Sequence, residues 1–595
     1  MVIAKLLSLI DKNEQKKLFL LLLLIVISAI FDIIGVVSIM PFLAIVANPE
    51  ALTSQPYLNE IKLSLETTIG VEERNINIAL GLITLITLIT SLAIRAITNY
   101  AQAKYVFTLD YSISKKLLGK YLSSDYSWFL NQHSADLGKT ILAEINVVVS
   151  DGLMPLMLLI ANLITATGLL VLLIFVNAGV AITTILLFGG LYFIIYLFSK
   201  TKIDALGHAR TDSNLARYKL LSEAFGAIKE VKNLGLERYF LDRYKVYAKT
   251  LAEASAQVSL LGQLPRYSIE ALGFGGLIVL ILFQTSDGIP ISNILPTAGV
   301  FAFAGYRLLP ALNQIYYSIG RIRFVSSAIK DLATQIEGTN STEVQTNHAS
   351  HIRFKRLKLN NVYYKYPNAH EFTLKNLNLE LRANALVAFV GATGSGKTTT
   401  IDLIAGLLEV SKGELEVDDL KIEGELLKSW RSSVGYVPQQ GYLIDDTVTA
   451  NIAFGVEKDK VDQLQVKRSA MIAQIHEFIE RDLPSGYETY IGERGARLSG
   501  GQRQRIAIAR ALYRKPEILI LDEATNALDA ATENIVLAGL QESKTISTLI
   551  LITHKYNNLK LCDKIFVFDK GTLVANGSYD EIKNNKFFIE MAQHQ

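Results

Sequence analysis

Cysteine is nearly absent: Cys562 is the single one in 595 residues, which excludes an internal disulfide and any C-x-x-C zinc or redox motif. Charge is scarce as well. Only 19% of the residues are Asp, Glu, Lys or Arg, and 59 basic side chains stand against 56 acidic ones, so no overall basic field argues for nucleic acid. Against these shortages, half the residues are hydrophobic and the mean hydropathy is +0.29. Such a balance excludes a disordered or fibrous chain and is too apolar for an ordinary cytosolic enzyme. Part of the polypeptide sits in lipid, and the mixed charge is segregated into soluble parts.

Charge-free runs locate the membrane spans, since a crossing helix needs about 20 apolar residues. Leu18 to Phe31 continues past a lone Asp32 into Ile33 to Val46, and Asn75 to Ile94 follows. Gly152 to Ser199 holds no charge at all and has a turn signal at Asn177-Ala178-Gly179, so it reads as two helices and a tight hairpin. Ala271 to Ser286 and Gly288 to Tyr306 bring the total to six. Lys5, Lys12, Lys16 and Lys17 precede the first span, and Lys104, Lys115, Lys116 and Lys120 follow the second, whereas the segments placed outside hold only Lys62 and Arg74. This bias puts the N-terminus in the cytoplasm of a multi-pass protein of the cell membrane. Residues 1–17 read as an amphipathic elbow helix at the interface, without a small-residue cleavage site. The connections at about 100–150 and 200–266 are long and helically periodic, so they project into the cytoplasm as helical extensions of an all-α domain over 18–337.

Charges within or beside the spans have two readings. Arg95, Arg266 and Arg307 lie at the cytoplasmic parts of spans two, five and six, and with Asp32 they either outline a basic vestibule for substrate or merely snorkel and pair.

Residues 338–350 (GTNSTEVQTNHAS) are polar and aperiodic, a linker. From 351 to 595, short Val/Ile/Leu runs alternate with helical patterns, which predicts an α/β domain with a mostly parallel sheet. After the apolar run Ala385 to Val390 stands Gly391-Ala392-Thr393-Gly394-Ser395-Gly396-Lys397-Thr398, followed by Thr399 and a helical pattern. This strand–loop–helix context is that of a P-loop. Its glycines let backbone N–H groups wrap phosphates, Lys397 reaches the β and γ oxygens of ATP, and the Thr398 hydroxyl holds Mg²⁺. Farther on, Ile518 to Leu521 is a buried-strand pattern ending in Asp522 and Glu523, an acid for the metal and an acid to polarise water.

A P-loop alone leaves kinases, GTPases and helicases open. Leu498-Ser499-Gly500-Gly501-Gln502 separates them, because small residues there open a helix whose N–H groups can meet a phosphate. With this motif the sequence resembles the ABC transporter ATPases, and six spans ahead of one such domain resemble an exporter half-transporter. The resemblance implies that Tyr366 stacks on adenine, that Gln439 in YVPQQ is the Q-loop glutamine serving catalysis and the metal, that Gly492 to Gly495 form the X-loop, that Asn526 to Asp529 form the D-loop, and that His554 is the switch histidine. It further implies ATP sandwiched between the P-loop of one copy and the Ser499 turn of another, hence a homodimer with two hydrolytic sites. There are two departures. Asn526 stands where Ser is usual, and Lys555-Tyr556 follow His554 where Arg-Leu is frequent. Tyr126-Ser127-Trp128-Phe129 resembles the coupling-helix bend of exporter inner loops, with plain helix packing as the other reading.

In the membrane half, Pro265 to Phe274, Tyr306 to Asn313 and Met40-Pro41-Phe42 resemble the PglK-type flippases of lipid-linked oligosaccharides. That likeness implies an external helix within Asn48 to Asn75, where Tyr57, Leu58, Ile61 and Leu65 share one face, and implies that Arg95, Arg266 and Arg307 receive the substrate's pyrophosphate. Gln314 departs from it where another arginine can stand. An exporter of lipid, peptide or drug is the alternative, and a nucleotide-gated channel or regulator is a third reading.

Overall fold

A computed structural model describes residues 2–8, 10–38, 76–176, 178–179, 182, 185–286, 291–338, 352–543, 546–553, 555–585 and 588. The expected external helix, Met40 to Phe42, the middle of the hairpin at Asn177 and the linker after Gly338 lie outside the described residues. So does His554.

The chain divides into two units. The first, Met1–Ser124 with Gln132–Val344, is helical. Lys12–Val37 packs along Ile76–Ser123, Met154–Val176 on Ile291–Phe324, and Gly190–Gly226 on Glu237–Ser286. Among the described residues Lys12–Gly35, Ile78–Ser123 and Ser134–Val171 are long and apolar enough to cross a membrane, with mean hydropathies of 2.9, 2.1 and 2.0. Their exposed side chains include Phe19, Leu20 and Ile86. An apolar outer face is tolerable in hydrocarbon, where each helix satisfies its own backbone. Ile76–Ser123 has 48 residues. At about 1.5 Å per residue it runs about 72 Å, more than twice the hydrocarbon core of about 30 Å, so it continues beyond the bilayer as a helical extension.

Within residues 1–17, Val2–Ser8 is a separate short helix, and the helix that carries the first apolar run begins at Lys12, ahead of Leu18. The reason is local. Lys, Gln and Glu are good helix formers, and Lys17 pairs with Glu14 at 2.8 Å, one turn apart, so nothing between Lys12 and the apolar run breaks the helix. Gly207 allows a close approach within this unit: a Cβ there would stand 2.3 Å from the Phe324 carbonyl oxygen.

The second unit comprises Asp125–Asn131 and Gln345–Gln595. Its six-stranded sheet has the order β10-β9-β3-β8-β7-β6, where β3 is Leu386–Gly391, β6 Val434–Val437, β7 Ile518–Asp522, β8 Thr548–Ile552, β9 Lys564–Asp569 and β10 Thr572–Gly577. All its pairs are parallel except β10 with β9. A four-stranded antiparallel sheet joins β1 (Arg356–Tyr364), β2 (Leu374–Arg382), β4 (Lys412–Val417) and β5 (Leu420–Lys421). The near-continuous apolar runs of β3 and β7 follow from burial on both faces. Ala388, Val390, Leu519 and Leu521 enter one core, and Val387, Phe389, Ile518 and Ile520 the other. Consequently the C-terminal ends of two adjacent-but-one strands, β3 and β7, deliver the glycine loop and the two acids to one edge of the sheet, where open α/β sheets bind ligands.

Candidate active site

The glycine loop joins β3 to the helix Lys397–Ile404, whose first-turn N–H groups are preceded by Gly396. Gly396 has φ 102°, and a Cβ there would lie 2.7 Å from Leu374 Cδ2, so only glycine fits. Lys397 is buried, and its ammonium donates to the carbonyl oxygens of Gly391 at 2.8 Å and Ala392 at 3.0 Å, lying back along the loop it would serve. Burial pushes its pKa down, with Glu523 and Asp522 pulling the other way. Ala392, Thr393, Gly394 and Thr398 are exposed and Ser395 is buried. The Tyr366 hydroxyl shares a hydrogen bond with Thr399 Oγ1 at 3.1 Å, which brings the expected adenine partner to the phosphate loop.

Asp522 closes β7 and accepts a hydrogen bond from the Tyr436 hydroxyl at 3.1 Å. Burial raises its pKa, opposed by that bond. Glu523 follows with φ 49°, a left-handed turn that swings its side chain out of the strand's alternation. Its Oε2 accepts from Gln439 Nε2 at 2.8 Å. The structure therefore brings Gln439 and Glu523 together from segments 84 residues apart. Ser499 caps the helix Gly500–Tyr513 in a reciprocal capping box: its hydroxyl accepts from Gln502 N, and Gln502 Oε1 accepts from Ser499 N at 2.7 Å. Gln502 thus supports the helix start rather than extending from it. Gly500 and Gly501 lie against Ala527, where a Cβ on Gly501 would stand 3.0 Å from the Ala527 carbonyl oxygen.

Two functional contacts are not evident from the sequence. Gln504 accepts from Ala527 N at 3.1 Å and donates to the Gln439 carbonyl oxygen at 3.5 Å, linking the Ser499 helix, the Asn526 turn and the Gln439 loop. A glutamine on the face shared with buried Ile508 is the available signal, since a polar group on an apolar stripe needs an internal partner. Lys555, one of the departures from the family pattern, pairs with buried Glu533 at 2.7 Å, while Asn558 donates to the other oxygen of Glu533 at 2.7 Å. The segment after β8 is thereby tied to the helix Ala530–Glu542. Of the three arginines assigned to substrate, Arg95 lies 3.9 Å from Asp32, which also accepts from Ser91 at 2.8 Å, and Arg266 pairs with Glu270 on its own helix at 2.7 Å. The Arg307 side chain lies outside the described residues.

Asp402, on the helix behind the glycine loop, is buried, and burial with a contribution from Asp522 pushes its carboxyl up to about 6. A raised pKa favours folding below the unfolded value and costs stability once pH passes the folded one. Asp402→Asn is expected to stabilise the nucleotide-free protein at pH 8 by about 1–3 kcal/mol, an advantage that fades as pH falls through 6 toward 4. Thermal scans of the full chain in chelator across that range test it; a gain that does not shrink in acid would refute the assignment.

Residues 374–526 match the family model of the ABC transporter and residues 18–279 that of the ABC transporter transmembrane region. The chain thus carries an ABC transporter transmembrane region, helical in the structure, followed by an ATP-binding, ATP-hydrolysing α/β domain of the ABC transporter type. It is 27% identical over 494 residues to the heterocyst differentiation ATP-binding protein HepA of Nostoc sp., covering 82% of this chain and 80% of that one. It is 28% identical over 472 residues to the ATP-dependent lipid A-core flippase of Cupriavidus metallidurans, covering 78% of each. Its fold matches a bacterial Atm1-family ABC exporter with ATP bound at TM-score 0.76 and 22% identity, over 98% of this chain and 99% of that one.

Proposed function

We propose that two copies of the chain close their ATPase domains around ATP, the glycine loop of one facing the Ser499 turn of the other. Closure and release would move a membrane-borne anionic glycolipid, foremost a lipid-linked oligosaccharide, with the N-terminus and ATPase domain in the cytoplasm. The observation that carries the hydrolytic part is the Gln439–Glu523 contact at the end of β7. In this reading Lys397 leaves its loop carbonyls for the phosphates, Tyr366 stacks on adenine, Glu523 orients and deprotonates water, and His554 contacts the γ-phosphate.

For Mg²⁺ the donors are hard oxygens. No cluster of three or more His, Cys, Asp or Glu among the described residues suits a metal, so an ion would share the Thr398 hydroxyl, the Asp522 carboxylate and the Gln439 amide oxygen with phosphate and water, a set Mg²⁺ favours. The amide nitrogen of Gln439, engaged on Glu523, leaves that oxygen for the task. When bound, Mg²⁺ neutralises charge on the β and γ phosphate oxygens.

The lipid-linked substrate is supported by relatives named lipid A-core flippases. Arg95 and Arg266 retain side-chain exposures of 52% and 61% despite their partners, which leaves planar donors for a pyrophosphate. Replacing Arg95, Arg266 and Arg307 together by Gln should cut stimulation of ATPase by a polyprenyl-pyrophosphate glycan, and its translocation in vesicles, at least about tenfold, with basal hydrolysis kept. Unchanged stimulation and transport would sink the pyrophosphate role. Lipid A-core added to the same vesicles tests the second reading, favoured by the flippase relatives; stimulation by it alone would replace the oligosaccharide.

A further inference from the structure

The turn after β7 holds a contact that belongs to this chain's departure from the family pattern. Asn526 Nδ2 donates to Glu523 Oε2 at 3.0 Å, the same oxygen that accepts from Gln439 at 2.8 Å. The backbone prepares it: Asn526 N donates to the Glu523 carbonyl oxygen at 3.1 Å, and the left-handed φ of Glu523 curls the acid back over the turn. Asn526 is exposed, so filling a core is not its role. A serine at this position would end an atom short of the amide nitrogen and carry a single rotating donor.

From this geometry we infer that Asn526 is a positioning residue for ATP hydrolysis, clamping the Glu523 carboxylate jointly with Gln439. The inference rests on the reading of Glu523 as the water-orienting acid. A carboxylate oxygen has two lone pairs, and two amide donors from different loops occupy both on Oε2, fixing the plane of the group. Fixing that plane matters because small misplacements of a reacting group cost large factors in rate. Gln504 holds the neighbouring Ala527 N and the Gln439 carbonyl, so both donors are themselves anchored by one side chain.

The test uses the full chain in lipid nanodiscs and measures phosphate release with Asn526→Ser, Asn526→Ala and Asn526→Asp, each in the parent and in the Glu523→Gln background. Alanine is expected to lower kcat about tenfold, aspartate, which replaces a donor by a like charge, more than alanine, and serine less, with KM for ATP within about twofold throughout. Acting through Glu523, the aspartate change should leave the residual rate of Glu523→Gln unaltered within about twofold. Binding of a fluorescent ATP analogue reports whether each variant retains its nucleotide fold. The clamp is overturned if N526D and N526A both turn over within about threefold of the parent, or if they slow both backgrounds equally. An inactive Glu523→Gln beside a fully active Asn526→Asp removes the clamp alone; a Glu523→Gln that hydrolyses at the parent rate removes the role of Glu523 and the clamp with it.

Discussion

Glu523→Gln is expected to bind ATP and fail to turn it over, with kcat lower by about 10²–10⁴-fold and nucleotide affinity within a few-fold of the parent. Glutamine has nearly the same shape, so the left-handed turn at the end of β7 and the contact with Gln439 can persist in some orientation. What the amide cannot do is accept a proton from the attacking water. None of the groups that contact the glycine loop changes: Lys397 keeps its loop carbonyls and Tyr366 its bond to Thr399. Binding and turnover should therefore separate cleanly. Phosphate release and nucleotide retention, measured on the same reconstituted preparation, decide the matter; hydrolysis within about tenfold of the parent would show that another group orients the water. In the sandwich proposed above, the variant should also accumulate as a nucleotide-bound dimer, since closure without hydrolysis has no route to release.

Much of this site is legible in the sequence because its chemistry is local. The glycine loop, its lysine and the strand that precedes it are contiguous, and β3 and β7 announce themselves as apolar runs because both faces of the sheet are covered. Contacts between distant segments are not legible. Nothing in Lys555 points to Glu533, and Gln504 reads as one more polar residue of a helix until Ala527 and the Gln439 loop are placed on either side of it. The segment Asp125–Asn131 groups with the ATPase domain, where Asn368 donates to Asn131 at 2.6 Å, a pairing across 237 residues that no sequence pattern announces. In the membrane half, Asp32 stands out as an interruption, and its partners Ser91 and Arg95 emerge only when the helices Lys12–Val37 and Ile76–Ser123 lie side by side.

The contact least visible from sequence carries the other large expected effect. Glu144→Ala should destabilise the chain by about 3–5 kcal/mol, because it strands a buried charge. Glu144 ends a π-helical segment, Thr140–Glu144, and a second one, Val149–Leu153, comes after a single α-helical turn. Such segments shift the helical register, so a strict period of 3.6 residues misplaces the side chains beyond them. Here Glu144 is buried against Gly190–Gly226, where Arg210 donates to one of its oxygens at 3.0 Å and Asn214, one turn on, to the other at 2.8 Å. Among the described residues Arg210 Nη1 is buried and has no hydrogen-bond partner, so removing the acid strands the guanidinium further. Glu144→Gln, which keeps an acceptor oxygen but not the charge, should cost less. Pairing Glu144→Leu with Arg210→Met should recover most of the loss, since an apolar pair replaces an ion pair without leaving either charge behind. Thermal unfolding of the full chain in lipid nanodiscs ranks the three: alanine lowest, glutamine between, and the double variant near the parent. If the double variant is instead as unstable as the sum of its single changes, the Glu144–Arg210 pair is not what joins these helices.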